Sequence, residues 1–435
     1  MLNAANSTFV IISSILVFFM TPGLAFFYGG LVSRKNVVNT MLSVFIICGL
    51  AVVLYVAVGY ELSFNGNIGG VIGTIKHFFL SGIDLGKVTL KDQGLNTGTY
   101  LVFQMMFAII TPALFVGAVV GRMRFNYLFG FIAVWSIFIY YPLVHMVWSS
   151  NGILASLGVL DFAGGTVVHI NAGVTALILS IFLGKRLKFE DEHYNLPWVL
   201  CGTAILWIGW YGFNAGSALV MNSIAMNAFL VTTVAASTAM ITWMVLEIQT
   251  GGKPSLVGVC TGALCGLVGI TPAAGYVTTV GAIVIGILCT VASFVFVNYI
   301  KPVLKFDDPL DAFGCHGVSG IVGSILTGAL ATKTVNSGIT ENGLFYGGGI
   351  HLFLIQIVGT LATIVFVTVM CLILIPVLKL FIKMRVDEKE ELAGLDFGEH
   401  GERVDYSIGE DTHTIERYPD EFRGQLAHFD KNRYD

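Results

Sequence analysis

The sequence predicts an all-α integral membrane protein with eleven transmembrane helices. Three observations carry that expectation. Of 435 residues only 11% are charged and 55% are apolar, against about 25% charged in ordinary soluble proteins, and the mean hydropathy is +0.82. The apolar residues fall in windows long enough to cross a bilayer core, for which a helix needs about 20 residues. The alternation that lipid-facing β-barrel strands require is absent.

In chain order the windows lie at 8–31, 37–60, 99–121, 125–147, 164–184, 197–219, 226–247, 255–273, 277–300, 312–331 and 347–380. Pro22, Pro112, Pro142 and Pro272 interrupt them, which membrane helices tolerate when neighbours satisfy the freed backbone groups. No Lys or Arg precedes the first window, so it is expected to remain as a span and not to act as a cleaved signal.

The connections set the orientation. Those after windows one, three, five, seven, nine and eleven carry Arg34, Lys35, Arg122, Arg124, Lys185, Arg186, Lys188, Lys253, Lys301, Lys305, Lys379, Lys383 and Arg385. The alternate connections carry only Lys76, Lys87, Lys91 and Lys333. Thirteen basic residues against four place the first set in the cytoplasm, the N-terminus outside and the C-terminus inside. From Val386 to Asp435 there are 15 acidic and 6 basic residues, whereas residues 1–385 hold 12 and 17. That break divides a membrane domain, 1–385, from a cytoplasmic C-terminal segment, 386–435.

Composition also excludes function classes. Soluble enzymes, secreted disulfide scaffolds and disordered chains are set aside, and a net charge of −4 argues against nucleic acid as a partner. The seven cysteines lie in apolar runs without a C-x-x-C pair, so they read as small buried hydrophobes; neither a metal site nor a cofactor is expected. A potassium-type TVGYG filter is absent, as is a nucleophile–base pair that would suggest an enzyme.

Two short segments match each other across the chain. HINAGV begins at His169 in window five and HGVSGI at His316 in window ten. Five spans separate them, so the halves 1–5 and 6–10 would enter the membrane in opposite directions, as in inverted-repeat transporters. Asp161 precedes His169 by eight residues and Asp311 precedes His316 by five. A lone membrane histidine reads as a core residue bonded to a neighbouring helix, which is the reading for His145 and His351. Two at equivalent places in a repeat point instead to a solute path. If their rings meet on the pseudo-twofold axis, one can donate a hydrogen bond to the other at about 3 Å.

Aromatic residues form a second constellation. Phe103 and Phe107 share a face of window three, Trp148 closes window four, and WYGFNAGS sets Trp210, Phe213 and Ser217 in window six. Such stripes often pack helices. They can also form a cation–π cage in which ring faces hold a small monovalent cation and a hydroxyl accepts one hydrogen bond.

Six ordered motifs then carry a family resemblance: TPGLAFFYGGLVSRKN (Thr21–Asn36), DFAGGTVVHINAG (Asp161–Gly173), WYGFNAGS (Trp210–Ser217), ITPAAGYV (Ile270–Val277), DPLDAFGCHGVSGIVG (Asp308–Gly323) and GLDFGEHGE (Gly394–Glu402). From about Phe9 to Glu402 the chain resembles the Amt/Mep/Rh ammonium transporters, and within them the Amt branch. The resemblance implies an outer ammonium-recruitment site of Trp148, Phe107 and Ser217, with Phe103 beside it and Asp161 supporting it. It implies a phenylalanine gate of Phe107 and Phe213, pore histidines His169 and His316, and Phe27 and Tyr28 in an inner vestibule. It further implies a plasma-membrane homotrimer that handles ammonium, ammonia or methylammonium, with GLDFGEHGE coupling subunits and a cytoplasmic PII-type protein as a regulatory partner.

The physical expectation is a pore that separates ammonium from potassium by donated hydrogen bonds and a transferable proton. A dry site lowers the proton affinity of bound ammonium, as it does for a buried lysine. The proton either stays outside or is relayed along the histidines. An ammonium sensor of the same fold is the alternative, although about 33 residues after Glu402 are too few for a separate signalling domain. Residues 403–435 read as a solvated tail.

Overall fold

A computed structural model describes residues 1–189 and 192–404. Ten helices among them are long and apolar enough to cross a membrane: α1 (Ala4–Leu31), α2 (Arg34–Phe64), α3 (Thr97–Ala118), α4 (Phe125–Ser156), α5 (Gly165–Leu183), α6 (Leu196–Gly216), α7 (Ser223–Gln249), α9 (Thr279–Leu304), α10 (Phe313–Leu330) and α11 (His351–Lys379). Between α7 and α9 lies α8 (Leu256–Ile270), apolar but only 15 residues long. At 1.5 Å per residue it spans about 22 Å, short of a bilayer core of about 30 Å. Window eight was expected to run to residue 273, but the helix stops before Pro272 and the chain turns through 271–276. Pro272 therefore ends a helix where Pro22 and Pro112 lie inside one.

Helix starts are fixed by side-chain caps that satisfy free N–H groups. Asn3, Asn96, Asn195, Asn222, Ser255 and Thr278 each accept a backbone hydrogen bond at the head of α1, α3, α6, α7, α8 and α9. Inside the bundle, glycine permits close approach of helices. A Cβ at Gly202 of α6 would lie 2.4 Å from the backbone nitrogen of Phe27, and one at Gly212 would lie 2.6 Å from the carbonyl oxygen of Ser13. Both contacts join α6 to α1.

Five of the spans contain a π-helical turn: Tyr55–Gly59 in α2, Ser136–Tyr140 in α4, Gly165–Ile170 in α5, Phe296–Ile300 in α9 and Phe313–Val318 in α10. The last four fall in pairs five helices apart. Such turns widen a helix locally and are frequent at functional sites; here two of them contain His169 and His316.

The connections gather at two opposite ends. At one end Asn3 and Asn6 bond to Gly94 and Gln93, in the connection that holds the hairpin β1 (Val88–Leu90) and β2 (Leu95–Asn96). At the other end the basic connections meet the C-terminal segment. Arg122 donates to the carbonyl of Asp307 at 2.6 Å, and Arg186 grips the Asp307 carboxylate at 2.9 and 3.0 Å. Burial works against the Asp307 charge, but the Arg186 hydrogen bonds and the nearby Arg122 hold its carboxyl below the usual range.

Two short helices follow α11: α12 (Glu388–Ala393), opened by a capping box at Asp387, and α13 (Leu395–His400). Arg124 bonds to Glu390 at 2.9 Å and Glu399 at 3.3 Å, Arg385 to Glu391 at 2.7 Å, and Lys35 to the carbonyl of Leu392 at 2.9 Å. The basic surplus of the body and the acidic surplus of the segment thus meet in pairs. From residue 405 onward, the expected solvated tail lies outside the described residues.

The docking of α13 turns on Asp396, which is 3% exposed and accepts the N–H of Asn39 at 2.8 Å. Burial pushes its carboxyl up to about 6. A free aspartate titrates near 3.9, so between about pH 4 and pH 6 the docked segment keeps a proton that the undocked one has lost. The Asp396 contribution is therefore greatest below about pH 4, is lost as pH rises toward 6, and stays lost above it. His400, which burial holds neutral, opposes this on acidification and is common to both proteins in the comparison that isolates Asp396. Hydrogen exchange over residues 388–400 should show Asp396→Asn better protected than wild type at pH 7, and the two alike at pH 4. An equal difference at both pH values would contradict this assignment.

Candidate functional site

The two histidine helices are built alike. Asp161 accepts N–H bonds from Gly164 (2.9 Å), Gly165 (2.6 Å), Thr166 (3.1 Å) and Val167 (3.2 Å), and the Thr166 hydroxyl as well, so it anchors the first turn of α5. At the head of α10 the matching carboxylate is Asp308, which accepts from Ala312 at 3.1 Å and Phe313 at 2.8 Å. The expected match of Asp161 with Asp311 is thereby corrected. Asp311 has a left-handed backbone, φ 53°, and pairs with Lys301 instead. The eight-residue spacing from Asp308 to His316, equal to that from Asp161 to His169, was the signal in the sequence.

Close backbone contact brings the histidines together. A Cβ at Gly173, one turn after His169, would lie 2.3 Å from the Cα of Gly317, and one at Gly320, one turn after His316, would lie 3.1 Å from the Cβ of His169. The imidazole rings are nearly parallel, at 9°, with centroids 5.4 Å apart. Both residues are buried, and Nδ1 and Nε2 of His169 and Nδ1 of His316 have no hydrogen-bond partner. The expected hydrogen bond between the rings is not formed. At 5.4 Å and 9° the rings lie alongside one another, on backbones held close at the glycine contacts. His145 makes the contrast: it is equally buried, yet one ring nitrogen bonds to the Ser63 carbonyl (3.0 Å) and the other to Asn67 (3.2 Å). His351, read from the sequence as a core residue, is instead exposed and pairs with Glu341 of the preceding connection at 2.5 Å.

A file of rings continues from the pair. His169 stacks on Trp210 (5.4 Å, 16°) and Phe213 (5.9 Å, 26°); Phe213 meets Phe107 at 4.5 Å, and Phe107 meets Trp148 edge-on at 5.5 Å and Phe103 at 5.0 Å. Trp148 is half-buried and donates to the carbonyl of Asp161 at 3.2 Å, which ties the outermost ring to the α5 anchor. Ser217 stands one turn past Phe213 and donates to its carbonyl at 2.8 Å, leaving the hydroxyl oxygen as an acceptor. Its neighbour Gly216 lies against Phe103, whose Cε2 would be 3.0 Å from a Cβ there. Asp161 lies behind the file as a support. Trp210 is a ring partner that spacing alone did not assign; its indole N–H donates to Thr271 at 2.9 Å, which turns its face to His169.

Beyond the histidines the file opens into a cavity of about 300 Å3. Phe27, Tyr28, Trp210, His316, Lys35 and Arg186 are among the residues that line it. Tyr28 donates its hydroxyl to the Leu114 carbonyl at 2.7 Å, which leaves a wall of ring carbons. The ring contacts thus run without a break from Trp148, near the α4–α5 connection, through Phe107, Phe213 and His169 to His316, which lines the cavity.

The Ammonium Transporter Family model matches residues 8–405. An ammonium transporter of Aquifex aeolicus is 44% identical over 410 residues, covering 93% of this chain and 94% of the relative. Among solved structures, Candida albicans Mep2 superposes with a TM-score of 0.83 at 33% identity, covering 89% of this chain and 88% of that one. A structure described as a sensor Amt protein does so with a TM-score of 0.83 at 28% identity, covering 91% and 98%. With a match over nearly its whole length and the twin-histidine helices at its centre, the chain belongs to the ammonium transporter family.

Proposed function

We propose that the chain is a multi-pass plasma-membrane ammonium transporter and not an enzyme, its path running through the ring file and past the twin histidines. The observation that carries the reading is the contrast among buried histidines. His145 spends both nitrogens on the protein, whereas His169 and the Nδ1 of His316 face one another's rings with nitrogens free for a small polar solute. A buried polar atom without a partner costs about 1–3 kcal/mol, a cost that a structural histidine has no reason to carry.

The roles follow from chemistry along the file. Trp148, Phe107 and Phe103 present ring faces and edges to an arriving cation, and the Ser217 oxygen accepts one of its hydrogen bonds. Asp161 holds this end by anchoring α5 and the Trp148 indole. Phe107 and Phe213, in contact at 4.5 Å, form the gate. A bare ion entering it would lose its hydration without compensation, a penalty of several kcal/mol. Ammonium can instead leave a proton behind and pass as ammonia. His169 and His316 then exchange hydrogen bonds with ammonia, and Phe27 and Tyr28 line its exit. Because the rings carry no mutual hydrogen bond, a proton relay along them would require an intervening solute or water.

Eleven spans, with α8 as a short one, fit an inverted repeat of spans 1–5 and 6–10. The paired π turns and the matched Asp161 and Asp308 anchors support it. The basic connections favour a cytoplasmic vestibule, an outer N-terminus and a membrane domain that ends near Arg385, followed by a cytoplasmic segment. Similarity to a structure described as a sensor Amt protein supports sensing as a second reading.

Uptake into vesicles reconstituted with purified protein tests transport directly. Wild type should take up ammonium with little competition from potassium. His169→Ala or His316→Ala should abolish uptake or its selectivity. Trp148→Leu should weaken apparent affinity by about 0.5–2 kcal/mol, and Ser217→Ala by about 1 kcal/mol. Saturable ammonium binding without uptake would favour the sensor, and wild-type behaviour in both histidine variants would sink the pore assignment.

Assembly as a homotrimer rests on the family resemblance, with GLDFGEHGE at the subunit contacts. A PII-type protein as cytoplasmic partner rests on the same resemblance. Mass measurement in mild detergent should give three chains per particle; a monomer would contradict the assembly.

A further inference from the structure

Two thiols meet in the wall of the vestibule, and no step of the transport reading uses them. Cys265 of α8 and Cys315 of α10 have their sulfurs 3.9 Å apart. Cys315 lines the cavity at 6% exposure and immediately precedes His316, while Cys265 is fully buried behind it. Both are free thiols, and they are 50 residues apart in the chain, so only the packing of α8 on α10 unites them. We propose that they form a dithiol site for one thiophilic cation, mercuric, silver or cuprous, which enters from the vestibule and blocks the path beside His316.

Geometry supports a bridging ion. With metal–sulfur bonds of about 2.3 Å, a 3.9 Å separation corresponds to an S–metal–S angle of about 116°, and a small outward rotation of either thiol opens it further. Ligand number sets the choice of ion. Among the described residues no group of three or more His, Cys, Asp or Glu side chains is disposed to hold a metal, so cations that require four or six ligands are not served. Soft ions accept two sulfur ligands. Mercuric ion binding breaks two S–H bonds and forms two Hg–S bonds, and both protons leave by the vestibule. No electrons are transferred, and the resulting dithiolate complex is neutral, as a low-dielectric wall requires. Silver or cuprous ion reaches the same neutrality by displacing one proton and keeping one thiol. The ion then narrows the junction between the cavity and the histidine pair.

The test uses the full-length purified protein and mercuric chloride. Exposed Cys201 and half-buried Cys48 will also take mercury, each as a single thiol, so the protein is washed with excess monothiol, which strips single-thiol adducts. Metal analysis should then find one mercury per chain in wild type and none in Cys265→Ser, Cys315→Ser or Cys315→Ala. No retained mercury in wild type, or equal retention in all four proteins, would overturn the site. Ammonium uptake into vesicles is measured on the same samples. Treated and washed wild type should lose uptake and regain it with a dithiol, whereas treated Cys265→Ser should keep the rate of its untreated form. Retained mercury with undiminished uptake would overturn the block. This uptake arm rests on the transport reading, while metal retention reads the site independently, so failure of one is distinguishable from failure of the other.

Discussion

The arrangement depends on one steric constraint, the contact of α5 with α10 at Gly173 and Gly317. With a Cβ at Gly173 placed 2.3 Å from the Cα of Gly317, no side chain fits there without moving a backbone. The contact fixes where His169 and His316 can stand, and therefore where the ring file ends and the vestibule begins. Asp161 and Asp308 hold the two helices from their first turns, so the crossing is anchored at its heads as well as at its middle. Each histidine lies within a π turn, at 165–170 and 313–318.

From that constraint comes a path suited to a solute that can shed its charge. The rings on the Trp148 side offer a cation electrostatic attraction and one hydroxyl acceptor. The contact of Phe107 with Phe213 offers nothing to replace a hydration shell. Potassium and ammonium have similar size and charge, but potassium has no proton to leave behind. On the proposed reading, desolvation separates the two where a size filter would not.

Much of this was legible in the sequence because the bilayer imposes strong rules. Span positions followed from apolar windows, and the file of Trp148, Phe107, Phe213, His169 and His316 followed from motifs once the family resemblance was in view. What spacing hid were features set by packing. The short α8 ends before Pro272, although the apolar run continues past it. Asp308 and Asp311 are both near His316, and only the direction of the backbone N–H groups at Ala312 and Phe313 shows which of them anchors α10. Parallel rings stand where a mutual hydrogen bond was expected, and ring orientation leaves no periodicity in the sequence to read. Trp210 gained its place beside His169 through a hydrogen bond to Thr271, 61 residues away. The pairing of Cys265 with Cys315 is invisible to any local motif.

The acidic residues that follow the charge break at residue 386 engage the basic connections, as Arg124 with Glu390 and Arg385 with Glu391 show. That surface and the glycine contact lie at different depths of the same path, so they can be perturbed separately. The most direct measurement is ammonium uptake, with and without competing potassium, by Gly173→Ala reconstituted beside Gly49→Ala, a helix position with no neighbouring atom within 4 Å of the added Cβ. If the α5–α10 contact positions the histidines, Gly173→Ala inserts but loses uptake or its preference for ammonium, while Gly49→Ala behaves as wild type. Full uptake with unchanged selectivity in Gly173→Ala would contradict the account.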